Sequence, residues 1–376
     1  MFFKNANLYT EDFHFHMGAF SVENGKFAEV MAENVPADAV DLKGARVIPG
    51  LIDVHTHGNS GEDFSDGSVE GLKKMLGYYG RNGITSVAPA SMTLPYEVLS
   101  KAFAAGAQLK KERPENCAKI MGAQMEGPFF SEKKKGAQNG EYLRNPDFEA
   151  FRKLFEESDG LVRIVDLAPE LPGAVEFIQK AKELCTVSVA HTDATYDEAK
   201  AAYDAGATHL THLYNAMLGI HHRKPGVIPA AAENEKVRAE LISDGLHVHP
   251  AAVRLAFRIF GAERMVLISD SLRCCGMPDG KYELGGQDVF LAGGVARLAD
   301  GTIAGSATNL FGCMQRAISF GIPAEDAIRA ATWNPACAIG AEKEIGSIAP
   351  GKWADFVVCD ENFELTSVYI DGKLIK

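Results

Sequence analysis

The chain has 376 residues, 46% of them hydrophobic and 23% charged, and a formal net charge of −12. Such length and apolar content support a large buried core and exclude a disordered chain. The acidic balance argues against a nucleic-acid partner, because phosphate backbones select basic faces.

Cys117, Cys185, Cys274, Cys275, Cys313, Cys337 and Cys359 are odd in number and show no C-x-x-C spacing. They read as reduced thiols of a cytoplasmic protein. The opening MFFKNANLYTEDFHFHM lacks the basic flank and apolar run of a secretory signal. No stretch approaches the roughly 20 apolar residues of a membrane helix, so no membrane partner is expected.

Residues 1–48 show strand alternation and little helical period. From Leu51 onward, short apolar runs alternate with helical patterns. The strand-like runs are LIDVHTH from Leu51, ITSVAPA from Ile84, KIMGAQMEG from Lys119, LVRIVDLAP from Leu161, CTVSVAHT from Cys185, ATHLTHL from Ala207, AELISDG from Ala239 and RMVLISD from Arg264. Between them, DEAKAAYDAG (Asp197 to Gly206) and AAVRLAFRIFG (Ala251 to Gly261) carry helical spacing and end in glycine. Eight such repeats predict a closed α/β barrel of the (β/α)8 TIM type over residues 49–341. Strand alternation returns after Ser347, with a turn at Asp371-Gly372. Residues 1–48 and 342–376 are therefore expected to form one small β-sandwich domain.

Barrels of this kind build their active sites at the C-terminal ends of the strands. Six imidazole and carboxylate residues fall there: His55 and His57 on the first strand, Glu126 on the third, His191 on the fifth, His212 on the sixth and Asp270 on the eighth. His55 and His57 are two apart, so a strand sends both to one face. Nitrogen and carboxylate donors of this kind suit zinc, iron, manganese or cobalt. The predicted cofactor is one or two divalent ions per subunit, zinc first.

The spacing alone is weak evidence, because His14 and His16 share it. There Phe13, Phe15 and Met17 alternate inward, which leaves His14 and His16 facing solvent. His209 and His212 are three apart, so strand parity admits only one of them to the barrel interior and does not say which. Asp270 competes with Asp244, since both close Ile-Ser-Asp runs; one of them is expected to brace a loop.

Together PGLIDVHTHG, MEGPFF, AHTDATYDEA, THLYNAM, HHRKPG, ISDGLHVHP and LISDS resemble the N-acetylglucosamine-6-phosphate deacetylases of the amidohydrolase superfamily. The resemblance spans nearly the whole chain. It implies Glu126, His191 and His212 as the main metal ligands and His55 and His57 as a second pair. It makes Asp270 the acid/base and His247 a group that contacts the substrate near the reacting carbonyl. Asn215, Ala216 and Arg223 match positions that hold a sugar phosphate, and Ile303, Ala304 and Gly305 match a substrate-lining turn. Ala137 and Gln138 match a loop that reaches the substrate of a neighbouring subunit, which implies a homodimer. The chain departs at Lys224, where relatives often carry glutamate, and at Gln138, where a histidine is common.

The implied substrate is an amino-sugar phosphate, deacetylated during amino-sugar catabolism. The galacto epimer, another amidohydrolase and a non-catalytic scaffold are the rivals. Cyclic amidases bridge two metals with a fourth-strand lysine, but LVRIVDLAPE has none, only Arg163. No P-loop or dinucleotide fingerprint is present.

Overall fold

A computed structural model describes residues 1–376. The eight expected barrel strands are Leu51–Asp53, Ile84–Val87, Lys119–Ile120 with Ala123–Phe129, Val162–Leu167, Thr186–Val189, His209–Leu210, Arg238–Ile242 and Met265–Ile268. All pair in parallel with their neighbours. Backbone bonds knit the second strand to the third through Gln124 N to Pro89 O (3.0 Å). The eighth meets the first through Asp270 N to His55 O (2.9 Å) and His57 N to Ser271 O (2.8 Å). The ring of strands therefore meets at the level where the candidate ligands project.

Each strand is followed by a helix: Val69–Arg81, Tyr96–Glu112, Phe148–Glu157, Ala174–Ala181, Tyr196–Ala205, Val227–Glu233, Pro250–Phe260 and Leu310–Ser319. Local chemistry sets their ends. Thr195 and Glu198 form a reciprocal capping box at the start of Tyr196–Ala205, satisfying donors that a helix leaves unpaired. Pro250 occupies the first turn of Pro250–Phe260, where its missing N–H costs nothing, and His249 accepts from Ala251 N. That helix buries Val253, Ala256, Phe257 and Phe260, a stripe with a period near 3.6. It packs into the main apolar core shared by barrel and helices.

Both termini enter one eight-stranded sheet. Phe356–Cys359 runs antiparallel to Arg46–Pro49, which in turn neighbours Phe2–Tyr9. Phe3, Phe20, Phe27 and Phe356 form a separate core under it, with Phe3 and Phe20 stacked at 4.7 Å. His14 and His16 lie exposed here, His16 2.7 Å from Asp12. Met17 does not turn inward as alternation predicts: it is 59% exposed, and Phe13 has a φ of +63° that interrupts the pleat before it.

One element escapes the sequence reading. After the eighth strand, Gly280–Leu284, Gln287–Ala292 and Val295–Leu298 form a three-stranded antiparallel sheet. Its signal was present in the sequence: Gly285-Gly286 and Gly293-Gly294 lie between apolar runs, a hairpin signature.

Candidate metal centre

The six predicted residues converge at one mouth of the barrel, all at most 8% exposed. Glu126 is the hub. Its Oε1 lies 3.2 Å from His191 Nε2, 3.3 Å from His212 Nε2 and 3.4 Å from His55 Nε2. Its Oε2 lies 3.4 Å from His57 Nε2. Two trios with donor atoms within 4.8 Å of one another share this carboxylate: His55, His57 and Glu126, and Glu126, His191 and His212. Asp270 Oδ1 closes the group, 3.2 Å from His57 Nε2 and 3.9 Å from His55 Nε2.

The backbone at the strand ends aims these groups. His191, His212 and Asp270 all have positive φ, +44°, +28° and +48°. Non-glycine residues rarely adopt that region, and such strain concentrates at functional sites. Gly127, beside Glu126, has φ +91°, and a Cβ there would sit 2.1 Å from Thr93 Oγ1, so only glycine permits the close approach.

The positive φ at His212 also overturns the parity expectation. His209 and Thr211 follow the alternation inward, to Glu240 and Asp166. The strand has ended at Leu210, so His212 is no longer bound by period two, and its Nε2 lies 3.0 Å from His191 Nε2. Both histidines therefore reach the interior, at different depths.

The hydrogen bonds behind the imidazoles fit a cation. The Nδ1–H of His55 donates to Glu240 Oε2 (2.8 Å), that of His57 to Ala90 O (3.1 Å) and that of His191 to Lys134 O (2.9 Å). With Nδ1 committed to these acceptors, Nε2 is the ring atom that faces the cavity, the arrangement metal-ligating histidines adopt. His55 Nε2 has no hydrogen-bond partner although fully buried. Burial opposes charge on both groups, but the surrounding histidines hold Glu126 well below the usual carboxylate range, and Glu240 and Glu126 push His55 well above its ordinary value. The buried carboxylates thus draw positive charge to this pocket: protons on the Nε2 atoms of His55 and His57 supply it here, and a divalent ion would take their place.

Asp270 and Asp244 separate cleanly. Burial raises Asp270, but the bond from His57 and the charge of His55 outweigh it, leaving its carboxyl below the ordinary range. Asp244 accepts Leu246 N and His247 N and holds His247 Nδ1 at 2.7 Å. It is the loop brace, and it aims His247. Burial disfavours a charged His247, yet the bond to Asp244 raises its pKa overall.

A cavity of about 210 Å³ opens over the cluster, lined among others by Ala137, Gln138, Asn215, Ala216, His247, Ile303 and Gly305. Two predicted residues stand elsewhere. Ala304 is fully buried in a small core with Leu272, Cys274 and Val289, because its neighbours Ile303 and Gly305 take the cavity side. Arg223 is exposed and bonded to His222 Nε2 (2.7 Å), outside the cavity lining. Gln138, expected to reach outward, is turned inward and 4% exposed: its Nε2 donates to Glu126 Oε2 (2.6 Å) and its Oε1 accepts Thr93 N (2.7 Å). Met92, Leu272, Leu284 and Thr302 also line the cavity and were not anticipated. Leu284 comes from the unpredicted antiparallel sheet, whose Gln287 also binds Ala137 O (2.6 Å). A larger cavity, about 490 Å³, lies around Arg163 and Trp353 and holds none of the candidate ligands.

Residues 46–375 match the amidohydrolase family. The N-acetylgalactosamine-6-phosphate deacetylase of Escherichia coli O157:H7 is 36% identical, the match covering 91% of each chain. The N-acetylglucosamine-6-phosphate deacetylase of Bacillus subtilis (strain 168) is also 36% identical, over 99% of this chain and 96% of that one. Among solved structures, N-acetyl-D-glucosamine-6-phosphate deacetylase from Mycobacterium smegmatis superimposes with a TM-score of 0.94 at 33% identity over the full length of both chains. A substituted form of that enzyme, in complex with N-acetyl-D-glucosamine-6-phosphate, gives 0.93 at 34%, covering 100% of this chain and 99% of that one.

Proposed function

Because the chain belongs to the amidohydrolase family, we propose that it cleaves the acetamide of N-acetylglucosamine-6-phosphate, releasing acetate and glucosamine-6-phosphate. The observation that carries this reading is the shared carboxylate: Glu126 joins two histidine pairs at the mouth of a barrel, with Asp270 beside them.

The family is metal-dependent. His191, His212 and Glu126 would hold one divalent ion, and His55, His57 and Glu126 a second. When bound, such an ion supplies Lewis acidity, lowering the pKa of water and polarising a carbonyl oxygen. Zinc suits imidazole and carboxylate donors; iron, manganese and cobalt suit them too. Asp270 Oδ1 accepts the proton of the attacking water and returns it to the departing amine, a role typically worth about 10² to 10⁴ in rate. Its low pKa keeps it ionised and able to accept. His247, fixed through Nδ1 by Asp244, presents Nε2 to the substrate carbonyl.

Asn215 and Ala216 lie along the cavity wall, where their backbone can meet the sugar phosphate. Arg223 lies on an exposed loop outside the cavity lining; its planar guanidinium suits a phosphate, and a homodimer is the arrangement that would bring it to one. Seven free cysteines agree with a cytoplasmic protein. No helix is long and apolar enough to cross a membrane.

The galacto epimer is the second reading, favoured by the Escherichia coli relative. The test is amine release from gluco and galacto N-acetyl sugars, with and without 6-phosphate, by metal-reconstituted protein. The 6-phosphate of N-acetylglucosamine should be cleaved fastest. Faster release from the galacto compound would select the second reading, and no release from either phosphate would overturn both.

A further inference from the structure

Glu240 belongs to none of the ligand sets above, yet it touches both halves of the centre. It lies in the strand Arg238–Ile242, is fully buried, and its carboxylate accepts three hydrogen bonds, from donors at or near metal-ligand positions. Its Oε2 takes His55 Nδ1–H at 2.8 Å and His212 N–H at 3.2 Å, and its Oε1 takes His209 Nε2–H at 3.1 Å. Its backbone carbonyl accepts Leu213 N at 2.8 Å. One carboxylate thus ties the first strand to the sixth, and one trio to the other.

The chemistry of His55 makes this bond decisive. His57 and His191 are fixed in their tautomers by backbone carbonyls, which no side-chain change removes. His55 alone among the three relies on a side-chain acceptor. Without an oxygen at that place, a buried Nδ1–H has no partner, at a cost of about 1–3 kcal/mol. The ring then gains by moving its proton to Nε2, where Glu126 Oε1 waits 3.4 Å away. That tautomer has no lone pair left for a cation.

The geometry points to Glu240 as the positioning residue of the centre: with His209 behind it, it holds His55 as the Nδ1–H tautomer and steadies the backbone at His212, so that both trios face one cavity. His209 is the reason Glu240 stays aimed, because it occupies the oxygen that His55 does not use. This goes beyond the catalytic reading and does not depend on the sugar, since a chain inactive on every sugar tested would still display it.

The test compares two variants of the full chain, Glu240→Gln and Glu240→Leu, by zinc competition with a chromogenic chelator. Glutamine keeps an oxygen for His55 Nδ1–H, and His209 can change tautomer to accept the amide. Leucine keeps the volume without an acceptor. Glu240→Gln should bind zinc within about tenfold of the unmodified chain, and Glu240→Leu should lose on the order of a hundredfold. A leucine variant that folds and holds zinc as tightly as the unmodified chain overturns the proposal. So does a glutamine variant as weak as leucine, which would make charge rather than the acceptor the cause. If Glu240→Leu does not fold, long-range proton–nitrogen NMR of the zinc-loaded, unmodified chain decides: the His55 ring proton should be on Nδ1, and a proton on Nε2 overturns the assignment. Failure of the unmodified chain to take up zinc overturns it too, whereas a negative sugar panel leaves zinc binding intact and sinks only the proposed reaction.

Discussion

Of the three His-x-His pairs in the chain, His14/His16, His55/His57 and His247/His249, the first two end in opposite environments. His14 and His16 sit at the exposed margin of the terminal sheet, with His16 against the exposed carboxylate of Asp12. His55 and His57 sit at the mouth of the barrel, 0% and 3% exposed, within 3.4 Å of Glu126. The spacing is the same, so it determines only which side of a strand the two rings share. What differs is what the opposite elements bring. At the barrel mouth, five other strands and their ends supply Glu126, Glu240, Asp270, His191 and His212. At the terminal sheet, water meets the rings.

The comparison can be broken or sharpened by substitution. The largest effect should come from Asp270→Asn, which keeps the shape but cannot accept a proton: turnover should fall about 10² to 10⁴-fold with the metal retained, measured by amine release and elemental analysis. Substantial remaining activity would move the base elsewhere. Next, His55→Ala and His212→Ala should each weaken zinc binding on the order of a hundredfold or more, and from different trios. Unchanged metal content in both would remove the contrast between the two histidine pairs.

Arg223→Ala tests the phosphate role. It should raise KM for the phosphorylated sugar on the order of tenfold and leave the unphosphorylated sugar nearly untouched, because remote binding energy is specific to the group it meets. Equal effects on both substrates would end its phosphate role. The smallest effect belongs to the exposed pair: His14→Ala with His16→Ala should leave metal content and turnover unchanged, and stability within about 0.5 kcal/mol. Loss of metal in that double variant would show that the sequence spacing, and not its surroundings, made the site.

Much of this was legible in the chain. Eight apolar runs separated by amphipathic segments specify a barrel because each strand and helix must bury one face against the same core, and all eight runs became strands. Ligand positions followed from strand ends, since a barrel exposes its side chains to ligands only there. Asp244 and Asp270 could not be ranked from identical Ile-Ser-Asp contexts; hydrogen bonds to the Leu246–His247 loop separated them.

By itself, the sequence determined local periodicity, helix caps such as Thr195 with Glu198, and the presence of imidazoles and carboxylates at strand ends. These depend on neighbours three or four residues away, which any stretch of chain carries with it. Only the tertiary structure decided that His209 and His212 both turn inward, that Gln138 reaches Glu126, that Arg223 stays outside its own cavity, and that Glu240 backs His55. Those outcomes depend on left-handed residues at strand ends and on contacts across as many as 185 residues, as between His55 and Glu240. Such contacts exist only once the barrel closes, because closure brings the donor and the acceptor to one depth.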